Sequence, residues 1–176
     1  MTARYVARTG VLLALALVVQ MAGLPQPFTG PAVNAVLLLA AMAAGPVGAV
    51  LIGLLTPWIA FSRGILPPPL GPAIPFIMAG NAAIVLVYWA VTRLTRSSTL
   101  GWGSWLALAL AATVKYLVIS GGVNLLLELP PKLVAALGTP QLMTALTGGV
   151  TALLVATALE AAGLSSNGAV GKPIRR

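Results

Sequence analysis

Stretches of about twenty residues with almost no charge follow one another along this chain, and that pattern dictates the fold before any motif is weighed. A helix that crosses a bilayer needs ~20 mostly apolar residues. The first such stretch, residues 5–24, reads YVARTGVLLALALVVQMAGL. Arg4 and Arg8 ahead of its uncharged part imitate the start of a signal peptide, but no small-residue cleavage motif follows and similar stretches come after it, so it reads as a retained helix. Residues 31–62 are too long for one crossing and are interrupted at Gly45-Pro46. Proline disfavours helical geometry in the residue before it, and glycine commonly ends helices. The pair therefore predicts two helices, about 31–44 and 46–62, joined by a tight turn. Three more follow at about 73–93, 103–127 and 140–162. The expectation is an all-α membrane protein, a compact bundle of six transmembrane helices forming a single domain over residues 1–163. A polar tail without fixed structure is expected over 164–176.

Charge divides the loops between two sides. Arg4 and Arg8 precede the first helix, Arg93 and Arg96 follow the fourth, and Lys172, Arg175 and Arg176 close the sequence. With six crossings these all share one side, leaving Arg63 and Lys132 opposite and Lys115 within the membrane. Were residues 31–62 a single crossing, Arg93 and Arg96 would change sides. The positive-inside rule thus favours six helices with both termini cytoplasmic. Trp89, Trp102 and Trp105 fall near the inner boundary, and Trp58 and Phe28 near the outer one. Two outer connections, LPQPFTGP (24–31) and RGILPPPLGP (63–72), are rich in proline and read as a stiff rim. A third, ELPPKLVAALGTP (128–140), has room for one short helix.

Composition narrows what such a bundle can do. Charged residues make up 7% of the chain, against roughly 25% in soluble domains, so the outer surface must face lipid. Cysteine, histidine and aspartate are absent, and the only acids are Glu128 and Glu160. That inventory excludes Ser-His-Asp triads, thiolate or histidine metal sites and paired aspartates, so neither an enzyme, a bound metal nor a cofactor is expected. Apart from Lys115, the ten basic residues are scattered at helix ends and in the tail; nucleic-acid binding requires them clustered on one face.

Counting ~1.5 Å per residue along each helix assigns depth to the polar side chains. Gln20, Asn34, Thr56, Trp58, Asn81, Ser120, Asn124, Gln141, Thr144 and Thr147 all lie toward the outer half, with Arg63 at its mouth. The inner halves of most helices hold little beyond Leu, Ala, Val and Gly. Polar groups at membrane depth are costly unless paired or wetted. Such residues often join helices to one another without touching a ligand. Their concentration at one end instead predicts a cavity open to the outside and plugged beneath. A channel would carry polar groups along its whole length. Lys115, near the middle of the fifth helix, is the sharpest single residue, because Glu128 lies ~20 Å away along a helix and Glu160 lies near the inner end of the sixth. Either it snorkels or loses its proton, or it faces the cavity and meets a polar or anionic substrate. The cavity reading selects Lys115, Asn81, Asn124, Trp58, Arg63, Ser120, Gln141 and Thr144 as substrate-binding candidates.

Small residues four apart permit close helix contact in lipid. Ala3 and Ala7, and Gly10 and Ala14, keep that spacing in the first helix, as do Gly148, Ala152 and Ala156 in the last. With the run NAVLLLAAMAAGPVGAVLIG (34–53), an apolar helix, Gly-Pro, then glycines spaced down the next helix, the chain resembles the substrate-binding S components of energy-coupling factor (ECF) transporters over nearly its whole length. The resemblance implies capture of a vitamin or a precursor from outside, between the outer loops and helices four to six, and docking on a membrane coupling protein driven by two ATPase subunits. It places docking on Ala3, Ala7, Gly10 and Ala14. No phosphate-binding loop is present, so ATP would be hydrolysed by the partners. A self-sufficient small transporter or channel, and a membrane scaffold, are the alternatives; the first needs ionisable groups along a full path, and the second needs no polar cavity.

Overall fold

The computed structural model describes residues 3–164, and among these every regular element is helical. In chain order they are α1 (Ala3–Met21), α2 (Gln26–Ala43), α3 (Pro46–Ser62), a 3-10 segment (Pro68–Ala73), α4 (Ile74–Thr95), α5 (Trp102–Leu126), α6 (Pro131–Ala136) and α7 (Thr139–Ala161). Five stretches are long and apolar enough to cross a membrane: Ala3–Met21, Gln26–Ala43, Pro68–Thr95, Trp102–Leu126 and Pro131–Ala161. The sixth, Pro46–Ser62, is equally apolar in character but has only 17 residues. Residues 165–176, most of the expected polar tail with Lys172, Arg175 and Arg176, lie outside the described residues.

The long helices run alternately up and down, which gives the bundle two distinct ends. At the near end the start of α1 meets the α2–α3 turn, where Arg8 Nη1 donates to the Ala43 carbonyl at 3.4 Å. The α4–α5 turn meets the end of α7 there through a bond from the Thr99 hydroxyl to the Glu160 carboxylate. The α2–α3 turn itself rests on Gly45, whose φ of 85° suits a residue without a side chain and delivers the chain to Pro46 at the start of α3. The far end carries the α1–α2, α3–α4 and α5–α7 connections.

One proline-rich connection differs from the sequence expectation. Residues 26–31 do not form an irregular rim; they form the first turns of α2. Pro27 stands where a helix has no intrahelical N–H bond to lose. Pro31 lies one turn further in and is accommodated as prolines are inside membrane helices.

α2 is the centre of the bundle, with Leu37 and Leu38 fully buried, whereas α1 buries only Ala16 and packs on α2 and α3 from outside. α2 packs most extensively on α7 and α4 on α5. The α2–α7 approach depends on glycine: a Cβ at Gly30 would sit 2.8 Å from a Thr144 methyl, and one at Gly148 would run into the Pro31 carbonyl and Asn34. The buried apolar side chains fall into two groups. A large one, with Leu37, Ala49, Ile52, Ile84, Ala111 and Leu153, fills the near half. A smaller one, with Leu70, Ala73, Ile119, Val123 and Leu137, ties the 3-10 segment and α6 to the far half of α5. On α5, Lys115 falls between them.

Candidate functional site

Between the two apolar groups lies a cavity of about 410 Å³, open toward the far end. The end of α1 and the α1–α2 loop (Gln20, Gly23, Leu24) form part of its wall, with the start of α2, the end of α3, Asn81 of α4 and Gln141 of α7. Lys115 lies at its base.

Lys115 is 3% exposed, so it does not snorkel. Its Nζ donates to Asn34 Oδ1 at 2.5 Å and to Asn81 Oδ1 at 2.7 Å. A proline on α3 helps set this geometry. Pro57 has no N–H to give the Gly53 carbonyl one turn earlier, and Asn81 Nδ2 donates to that carbonyl instead, at 3.0 Å. Gly53 lets the helices close to that distance, since a Cβ there would already lie 3.0 Å from Asn81 Cβ. Asn81 is therefore fixed by α3 before it meets the lysine. Asn34 is buried on α2 at 2% exposure, and its second amide atom, Nδ2, has no hydrogen-bond partner among the described residues. Gln20 Oε1, also on the cavity wall, is buried without a partner.

Of the residues chosen from sequence, Lys115, Asn81 and Gln141 come together on this lining. Thr144 is buried one turn below Gln141, against Gly30, and gives its hydroxyl to the Gln141 carbonyl at 3.2 Å. Ser120 and Asn124 bond each other on α5, Asn124 Nδ2 donating to the Ser120 carbonyl at 2.7 Å, and do not line the cavity. Trp58 is 59% exposed on α3, and Arg63 is exposed beyond it. Asn34, Gln20, Thr29 and Thr56 are lining residues that the selection did not include. Asn34 stands out in sequence only as the one strongly polar side chain of the NAVLLLAAMAAGP run.

The lining offers one basic side chain and several amides, the equipment for holding a small molecule. On α1, Ala3, Ala7, Gly10 and Ala14 are all exposed, and nothing lies within 4 Å of a Cβ built at Gly10.

No curated protein and no solved structure matches the chain. The family described as "ECF transporter, substrate-specific component" matches residues 4–160. That match spans nearly all of the helical bundle and its cavity, and by it the chain belongs to the substrate-specific components of ECF transporters.

Proposed function

We propose that this subunit captures a vitamin-like small molecule from outside the cell and passes it inward through a coupling protein driven by two ATPase subunits. In this reading six helices cross the membrane, both termini are cytoplasmic, and the far end faces outward. The observation that carries it is the cavity itself: about 410 Å³, within the ordinary range of small-molecule sites, open at one end and closed beneath by the large apolar group. A continuous pore would need polar groups through the near half, where Leu37, Ile52, Ile84 and Leu153 are packed instead. Substrate would then leave only when a partner rearranges the bundle. The exposed small-residue stripe on α1, Ala3, Ala7, Gly10 and Ala14, supports a helix of the coupling protein lying close against it.

Purification from native membranes tests the proposal. The chain should bring down a membrane coupling protein with ATPase subunits, and heating should release a small molecule from it. Recovery of the chain alone and empty, with transport in liposomes needing no ATP, would favour the self-sufficient transporter.

A further inference from the structure

We propose that the molecule taken into this cavity is a monocarboxylic acid whose remaining body is uncharged. The inference rests on the capture function above and specifies its substrate class.

The charge inventory comes first. Among the described residues, Lys115 is the only ionisable side chain on the cavity lining. The chain's two acids are elsewhere: Glu128 is exposed in the α5–α6 connection, and Glu160 is exposed at the end of α7. A cationic ligand would enter beside a lysine with no carboxylate to receive it. A phosphate monoester carries a charge of about −1.5 to −2 at neutral pH, of which one lysine offsets only part, in a low-dielectric site where the remainder is costly. One negative charge balances the site.

Geometry then selects the kind of anion. A lysine ammonium has three donors; Asn34 and Asn81 take two, and one remains. Asn34 Oδ1 is the atom that accepts from Lys115, so the unpaired Nδ2 of the same amide lies beside Nζ. Two adjacent donors, one of them charged, match the two oxygens of a carboxylate. A primary amide in the same place would present one oxygen and an N–H facing a donor. The remaining lining includes Val33, Ile65, Leu66, Leu70 and Ile77, which suit an apolar body. Gln20 Oε1, buried and unpartnered, supplies an acceptor for one hydroxyl or amide N–H on that body.

The test compares matched acids and amides on the intact protein in lipid nanodiscs: nicotinate with nicotinamide, biotin with biotinamide, lipoate with lipoamide. Thiamine serves as the cation and pyridoxal 5′-phosphate as the phosphate ester. In parallel, the molecule released by heat from natively purified protein is identified by mass spectrometry. The released molecule should carry one carboxylate and no other charge, and any acid that binds should do so at least tenfold more tightly than its amide. Lys115→Met should abolish that preference; if this variant does not fold, the comparison on the unaltered protein still decides. A released cation, phosphate ester or neutral molecule overturns the inference, as does an amide that binds as well as its acid, while leaving capture intact. If nothing is released and no probe binds, capture itself fails and takes this inference with it.

Discussion

Lys115 sits where a lysine is expensive, and the two asparagines that face it show how the bundle tolerates the position. Placing lysine at the centre of a membrane helix costs ~2.5 to 3.5 kcal/mol on insertion scales. A hydrogen bond to a charged group contributes roughly 1.5 to 3 kcal/mol, so the two bonds to Asn34 and Asn81 suffice to offset that cost without any acid. Asn81 carries the heavier share, because it also serves the Gly53 carbonyl that Pro57 leaves free. Asn81→Ala should therefore destabilise the protein by about 2 kcal/mol or more, as it leaves a carbonyl and a lysine donor unpaired. Asn124→Ala, which removes only exposed bonds to Ser120 within its own helix, should cost less than about 0.5 kcal/mol. Denaturant titration in mixed micelles measures both, and equal losses would remove Asn81 from this supporting role. Sequence alone points to the lysine, because a charge in an apolar helix stands out whatever surrounds it. It does not give the partners: Asn34 is 81 residues away from Lys115, and nothing local to either residue encodes their meeting.

Helices and their breaks are legible in the chain for a related reason, since the apolar stretches and Gly45-Pro46 act locally. The departure at residues 26–31 has a physical cause as well. Proline predicts a break in water, but in the first turn of a helix it costs little, and α2 starts five residues before the expected position. α1 behaves unlike the other long helices, burying a single residue while Val6, Val11, Leu15 and Val18 stay exposed. A helix so weakly held by its own bundle suits contact with lipid and with a partner. Gly10 provides a clean test because a Cβ added there meets nothing within 4 Å. Gly10→Leu and Ala7→Leu should leave folding and substrate affinity unchanged and cut ATP-driven uptake by the assembled transporter about tenfold or more, by keeping the partner helix at a distance. Uptake equal to that of the unaltered protein in both variants would move the docking surface off this face.

At the scale of the whole molecule, the cavity lies opposite the end that gathers Arg4, Arg8, Arg93 and Arg96. Whether this arrangement crosses the membrane six times turns on α3. Its 17 residues span ~26 Å against a hydrocarbon core of ~30 Å. A mismatch of that size costs only fractions of a kcal/mol per Å, whereas leaving the helix uncrossed would strand Gly48, Ile52 and Thr56, all buried against its neighbours. Crossing should win. The absence of native cysteine permits a direct test with single cysteines at three exposed positions: Ala22 after α1, Pro69 before α4 and Ser98 in the α4–α5 turn. With six crossings, Ala22→Cys and Pro69→Cys both react with an impermeant thiol reagent on intact cells, and Ser98→Cys reacts only after the membrane is opened. Gly23 and Leu24 line the same cavity as Pro67 and Leu70, so the first two positions should label on the same side whichever way the bundle faces. Labelling confined to Ser98→Cys would invert the orientation and turn the cavity toward the cytoplasm. Labelling of Ala22→Cys without Pro69→Cys would show that α3 does not cross, and the shared mouth of the cavity would then be incompatible with the membrane.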